Sequence, residues 1–300
     1  MLDISAVILT FNEEIHIKRC LDNISPDVKE VFVIDSYSTD KTLEIAKEYA
    51  NVTILQNKFV NYATQFNWAL NNAPITSKWV LRLDADEYLT GELKNELEYR
   101  LPLLDSNITG IIFNFKRVWM GQTLRYGMTK LKLLRLFQYG KAESEARLMD
   151  EHIRLLEGES IEFEHEFADD NLNHLSWWTN KHVGYAIREA IDLLDMEYNL
   201  TGAANADLKI NINKQAKSKR MLKHRYAKQP LFLRAFAYFC YRYFFRFGFL
   251  DGKKGFLWHF LQGWWYRTLV DAKVFEIKNA CGKNPEKIKQ HLKDVYHIEL

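Results

Sequence analysis

The residues best placed for chemistry lie where apolar runs stop abruptly at polar groups. In WVLRLDADEYL, residues 79–89, a hydrophobic run ends in Asp84, Ala85, Asp86 and Glu87. Carboxylates this close repel one another and are costly to desolvate. A divalent cation removes that repulsion. Mg²⁺ or Mn²⁺ takes oxygen ligands and usually accepts one or two protein carboxylates, the remainder coming from water and substrate phosphates. The competing reading is a solvated turn, or a cap for a helix starting near Thr90. A phosphatase-type D-x-D-x-[TV] motif does not match, because position 88 is Tyr and that motif belongs after the first strand. A second polar end is DSYSTD, residues 35–40. A following helix needs one cap, so Asp40 supplies it and Asp35 is left to accept a hydrogen bond from a nucleobase imide. A third is Thr10-Phe11-Asn12-Glu13. The chain has no G-x-x-x-x-G-K-[ST] and no G-x-G-x-x-G. No glycine-rich cradle therefore holds phosphates, and a metal must carry more of their charge.

The elements that position these ends are legible as an alternation. Strand-like runs at 4–10, 31–35, 52–55 and 79–83 are separated by helical patterns in NEEIHIKRCLDNI, KTLEIAKEYA and YATQFNWALNNA. Alternation with short loops predicts a parallel sheet covered by helices. Ligands bind such sheets at the carboxyl ends of the strands, where all three polar clusters lie. Residues 110–170 lose the rhythm and read as further strands of a mixed extension, GIIFNFKRVW, KLLRLFQY and IEFEHEF. Residues 175–198 read as one long helix. Composition changes near residue 200, which gives a catalytic region 1–200, divided at about residue 90 into nucleotide and acceptor halves, and a helical region 201–300.

Together the three strand ends resemble the family 2 glycosyltransferases, inverting enzymes of the GT-A fold. SAVILTFNEE, VFVIDSYSTDKTLEIA, YATQFNWAL and WVLRLDADE follow that family's order across residues 4–90. Within it the chain is most similar to the bacterial branch that builds lipopolysaccharide core and other surface glycans. The resemblance implies that Thr10, Asn12 and Glu13 line the nucleotide pocket and that Asp35 reads uracil. It implies that Asp84 contacts the ribose or a metal-bound water, that Asp86 ligates the metal, and that Gln65 and Asn67 approach the donor. It places the catalytic base at Glu151, with Asp150 as runner-up. His174 is a candidate for the donor phosphates or metal, against the plainer reading of a packed, hydrogen-bonded residue. The implied cofactors are Mg²⁺ or Mn²⁺ and a nucleotide-sugar donor, UDP-linked. One departure is Tyr37, where many members carry Gly in D-x-G-S-T-D.

The 300 residues have 47% hydrophobic and 27% charged content, as in a globular protein. A net charge of +2 gives no general attraction to nucleic acid. Three scattered cysteines form no metal-ligand spacing and, with no leader-like N-terminus, suggest a reducing, cytoplasmic setting. Lys214, Lys217, Lys219, Arg220, Lys223, Arg225 and Lys228 then form a run without an acid. PLFLRAFAYFCYRYFFRFGFL follows, residues 230–250. As one helix at about 100° per residue, it places Arg234, Arg242 and Arg246 within an arc of about 120°. That pattern is too charged to span a bilayer, but it suits a helix lying in an anionic membrane surface with the arginines snorkelling to head groups. The expected partner is the inner face of the cytoplasmic membrane, reached through residues 212–270, with a glycan or lipid-linked acceptor. The competing readings are a nucleotidyltransferase acting on sugar phosphates and a non-catalytic nucleotide-sugar-binding subunit.

Overall fold

A computed structural model describes residues 1–145, 152–201 and 225–300. Asp150, Glu151 and most of the basic run lie outside the described residues. Contacts divide the chain into two compact units. One is Met1–Leu124 with Thr129–Asn173, and the other is Arg125–Met128 with His174–Leu300.

The first unit is an α/β sheet flanked by helices. Its strands are β1 (Leu2–Thr10), β2 (Val28–Asp35), β3 (Val52–Gln56), β4 (Trp79–Asp84), β5 (Glu87–Leu89), β6 (Ile108–Trp119), β7 (Gln122–Thr123), β8 (Lys132–Gln138), β9 (Ala142–Ser144), β10 (Ile153–Leu155) and β11 (Glu159–Asp170). The main sheet runs β3-β2-β1-β4-β8-β6-β11-β5, with β7 beside β6, while β9 and β10 pair separately. β3, β2, β1 and β4 are parallel. β8 lies antiparallel between β4 and β6, β11 is parallel to β6, and β5 is antiparallel to β11. The mixed extension is therefore present.

β1 explains why its sequence is a continuous apolar run rather than an alternating one. Ile4, Ala6 and Ile8 face Ile17, Leu21 and Ile24 of helix α1 (Ile17–Ile24). Val7 and Leu9 face the other way, onto Phe66, Ala69 and Leu70. A parallel strand covered on both faces has no solvent side to mark with polar residues. Phe66, Ala69 and Leu70 lie on α3 (Tyr62–Asn72), which Asn61 caps by accepting the Thr64 N–H at 2.7 Å. Between β2 and β3 lies α2 (Thr42–Ala46). The helix expected from Asn12 instead starts at Ile17, since Asn12 takes a positive φ of 55° and the residues between form a turn.

In the second unit the helix at 175–198 forms as expected. Ala186, Ile187, Ala190, Ile191 and Leu194 on it pack with Val270, Val274 and Ile277 of the helix Tyr266–Cys281, and with Ile288 and Leu292. The helix 175–198, placed with the catalytic region by composition, thus shares its core with the C-terminal helices. The expected single helix at 230–250 is broken. Helix Leu233–Cys240 passes into a π turn, Tyr241–Phe245, then a 3-10 turn, Gly248–Asp251, with Phe247 between them at φ 60°. Nor do its arginines form an exposed stripe. Arg234 is buried and holds Asp271 through Nε at 2.8 Å and Nη2 at 2.5 Å. Arg242 is buried and donates to Gln262. Only Arg246 of the three is exposed. Among the described residues no helix is long and apolar enough to cross a membrane.

Candidate active site

Strand register brings the polar ends together. Thr10 pairs with Asp35 across β1 and β2, and Leu9 pairs with Asp84 across β1 and β4. The three polar ends therefore finish at one level of the sheet, where its order reverses between β1 and β4, the usual place for a ligand.

The nucleotide side is a tightly bonded turn. Asp35 is fully buried. Its carboxylate accepts the Ser38 N–H at 2.9 Å, the Ser38 hydroxyl at 2.5 Å and Gln56 Nε2 at 3.0 Å, with Thr10 Oγ1 at 3.4 Å. Asp35 is thus not the free acceptor that the sequence suggested: it closes the DSYS turn on itself. Asp40 does hold the start of α2, accepting the Thr42 N–H at 3.0 Å. Asn12 bridges the two loops, donating its N–H to Ser38 and accepting the Thr39 N–H at 2.9 Å. Glu13 lies 2.5 Å from Nδ1 of the buried His16, whose Nε2 accepts the Leu172 N–H at 2.8 Å. With Nε2 accepting, Nδ1 is the ring nitrogen that donates to Glu13. Tyr37 adopts φ 62°, the conformation in which Gly would be the cheaper residue.

Gln65 and Asn67 spend their hydrogen bonds on the chain. Gln65 donates to Ser36 Oγ and Asn57 O, both at 3.1 Å, and accepts from Asn57 Nδ2 at 2.8 Å. Asn67 clasps Ser144, donating to its carbonyl at 2.9 Å and accepting its N–H at 2.8 Å. Ser144 ends β9, whose partner β10 starts two residues after Glu151. Asn67 thus fixes the strand leading into the segment that carries Asp150 and Glu151.

The acidic turn after β4 is not a helix cap. Helix α4 (Gly91–Arg100) is capped by Thr90, which accepts the Leu93 N–H. Around the turn, carboxylates and arginines pair off. Glu87 meets Arg135 at 2.6 Å, Asp169 meets Arg117 at 2.6 Å and Asp170 meets Arg19 at 2.7 Å. Among the described residues Asp84 and Asp86 pair with no arginine. Asp86 accepts Asn171 Nδ2 at 2.9 Å through one carboxylate oxygen, and its carbonyl accepts the Asp170 N–H at 3.0 Å. Burial pushes Glu87 well above the usual carboxylate range against the pull of Arg135, and the charges of Asp84, Asp169 and Asp86 add to the shift. Burial likewise raises Asp169 to about 6, with Asp86 and Asp84 reinforcing it against Arg117. The cluster's five carboxylates outnumber its three arginines, and among the described residues Asp84 and Asp86 meet no cationic side chain. This donor set fits a divalent metal. Among the described residues no group of three or more His, Cys, Asp or Glu side chains is arranged around one metal position.

His174 lies in the second unit, where Nδ1 accepts the Trp177 N–H at 3.2 Å and caps the helix 175–198. This is a hydrogen-bonded capping role, on an exposed residue rather than a packed one. The sequence reading passed over Arg19, Asp169, Asp170 and Asn171. The signal for the last three was DDNLN at 169–173, one more strand ending in polar groups.

Residues 5–148 match the Glycosyl transferase family 2 model. The sheet order above matches the GT-A fold, and a helical extension follows it. It is 38% identical over 99 residues to an uncharacterised glycosyltransferase of Rickettsia felis, covering 33% of this chain and 34% of the relative. It is 36% identical over 97 residues to the SPbeta prophage-derived glycosyltransferase SunS of Bacillus subtilis, covering 31% and 22%. The chain thus spans about a third or less of the curated relatives it matches. Among solved structures, the mannosyltransferase PcManGT of Pyrobaculum calidifontis, in complex with GDP-Man and Mn²⁺, covers 91% of this chain and 87% of its own, with 15% identity and a TM-score of 0.49.

Proposed function

We propose that this protein is a metal-dependent inverting glycosyltransferase that moves a hexose from a nucleotide-sugar donor, UDP-linked, to a hydroxyl of a lipid-linked or surface glycan acceptor. Its setting would be bacterial lipopolysaccharide, exopolysaccharide or capsule assembly, at the inner face of the cytoplasmic membrane. The observation that carries the reading is the pair Asp84 and Asp86 at the reversal point of the sheet, which among the described residues meet no arginine while Glu87, Asp169 and Asp170 beside them each do.

In this reading Asp86, with Asp84, holds a divalent cation. Such a cation, when bound, supplies Lewis acidity and charge neutralisation at the donor diphosphate. The Asp35 turn, with Thr10, Asn12 and Glu13, shapes the nucleotide pocket, and the uracil contact assigned to Asp35 requires Ser38 or Gln56 to yield an acceptor position. The Glu151 carboxylate takes the proton from the acceptor hydroxyl as that oxygen adds to the anomeric carbon, a contribution of about 10²–10⁴-fold. Attack from the face opposite the diphosphate turns an α-linked donor into a β-linked product.

The test is a set of sugar nucleotides assayed with Mn²⁺ and Mg²⁺ for UDP release. Asp86→Asn is expected to abolish metal-dependent transfer while far-ultraviolet dichroism stays unchanged. Glu151→Gln is expected to retain donor binding and lose transfer. Near-normal turnover by Glu151→Gln would remove that residue from the role of base, and pyrophosphate release in place of UDP would replace the reaction with nucleotidyl transfer.

A further inference from the structure

The second unit presents an aromatic surface that its own packing leaves bare. Phe244, Phe245, Phe247, Phe249, Leu250 and Phe256 are all exposed, Phe245 by 74% and Phe247 by 56%. Phe244, Phe247, Phe249 and Phe256 form one patch, joined through ring contacts of Phe247 with Phe249, Phe249 with Tyr243, and Tyr243 with both Phe244 and Phe256; Phe245 and Leu250 lie in the same turn. Exposed apolar surface on this scale marks an interaction site.

Backbone conformation adds an independent sign. Phe247 is held at φ 60° and ψ 28°, a left-handed position where Gly or Asn is favoured and a bulky side chain is an outlier. Its ring remains mostly exposed, so internal packing does not account for it. Strain retained without a structural return points to function.

Charge identifies the occupant. From Arg225 to Phe275 the sequence contains two acids, Asp251 and Asp271. Both are buried and engaged within the unit, Asp251 by the N–H groups of Arg125 and Tyr126 and Asp271 by Arg234. The exposed charges of the same stretch are Arg225, Lys228, Arg246 and Lys253, all positive. Beside the patch lies an open groove of about 500 Å³, lined by Tyr243, Phe249, Gly252, Lys253, Phe256 and Leu257. Its apolar walls with one cation match the division of a lipid into acyl chain and anionic head.

We propose that the turn 244–250 is a wedge that inserts its phenylalanines and Leu250 into the interfacial layer of an anionic bilayer, with Arg246 and Lys253 at the head groups. Attachment is then driven by aromatic insertion from a broken helix, not by the arginine stripe of a continuous one, because Arg234 and Arg242 are internal. The proposal rests on the reading of an enzyme that works on a lipid-linked acceptor, and it names the surface that brings it there.

The experiment is flotation of the full chain with vesicles of phosphatidylcholine alone and with about a third phosphatidylglycerol, at low and high salt. The parent is expected to float with the anionic vesicles and to retain a substantial bound fraction at high salt, since insertion is not screened. The triple variant Phe245→Ser, Phe247→Asn, Leu250→Ser replaces exposed side chains, and Asn suits the positive φ at 247. It is expected to keep the parent's melting temperature and lose at least about tenfold in vesicle partitioning at both salts. Lys253→Ser is expected to weaken binding at low salt only. A folded triple variant that floats like the parent overturns the proposal. So does a parent that stays at the bottom of the gradient, or one that light scattering shows to be a dimer through this patch. UDP-sugar hydrolysis in vesicle-free buffer is measured alongside. Its absence in the parent would count against the proposed reaction while leaving the flotation result to decide the wedge.

Discussion

Asp86 and Asn171 illustrate how little of a site one motif contains. The D-x-D pattern locates a carboxylate but not the angle at which it stands. That angle is set from β11, by the Asn171 amide on Asp86 Oδ2 and the Asp170 N–H on the Asp86 carbonyl. Arg19 joins the same junction through Asp170 and the Asp86 carbonyl. Groups that orient a metal ligand typically change metal affinity or activity by about 10–100-fold when removed. Asn171→Ala is therefore expected to raise the Mn²⁺ concentration for half-maximal UDP binding by at least about tenfold. A titration by fluorescence or calorimetry checks it. The melting temperature without metal should change little, because Asn171 is a loop residue whose only other side-chain bond among the described residues is the Asn173 N–H on its Oδ1. Unchanged Mn²⁺ dependence would show that Asp86 does not rely on it.

Elements differ in how readily their sequences reveal them. β1 to β4 are legible because a strand covered on both faces must be apolar throughout, and the polar residue that ends it is conspicuous. β5 is not legible: its three residues pair with β11, some 80 positions away, and nothing local marks them. The break at 246–248 was missed for the opposite reason, since aromatic and arginine spacing fits a helix while Phe247 contradicts it only through its backbone. The partner of Arg234 was hidden in the same way, 37 residues downstream in the helix Tyr266–Cys281. Asp271 also accepts the Phe232 N–H at 2.7 Å. Removing one member of a buried pair leaves a desolvated charge, at about 3–5 kcal/mol. Asp271→Ala is expected to destabilise the second unit by that amount in urea, whereas Lys278→Ala, which breaks a partly exposed pair with Glu197, should cost about 1 kcal/mol or less.

His259 carries a pH dependence into the same unit. Its fully buried ring is packed so closely by Gly127 and Gly248 that a Cβ at either would lie within about 2.5 Å of it. Burial, and then the Arg242 charge, lower its pKa to about 4. The folded state thus binds fewer protons than the unfolded state between the ordinary histidine value, about 6.5, and about 4. Stability from this group is complete above the upper value and is lost as pH falls through that window, by roughly 3 kcal/mol in all. Urea midpoints of the second unit at pH 7.5 and 4.5 should differ more in the parent than in His259→Gln. Equal pH dependence in the two would remove His259 as the cause.

At the scale of the whole molecule, composition concealed more than it revealed. A net charge of +2 conceals an excess of carboxylate in one unit and a surface in the other whose exposed charges from Arg225 to Phe275 are all positive. Each unit has its own hydrophobic core, so a ligand held by one should stabilise that one first. The candidate site belongs to the first unit, while five of the eight tryptophans, Trp177, Trp178, Trp258, Trp264 and Trp265, belong to the second. Binding to the folded state alone stabilises by RT ln(1 + [L]/Kd), about 2.7 kcal/mol at a hundredfold excess over Kd. UDP with Mn²⁺ is therefore expected to raise the unfolding transition seen by calorimetry or β-sheet dichroism, while tryptophan emission, weighted to the second unit, reports a smaller shift. Chelation with EDTA should cancel the UDP effect, because the pyrophosphate then meets Asp84 and Asp86 without the cation that offsets their charge. Full stabilisation by UDP in EDTA would mean that those two carboxylates hold no metal for the donor.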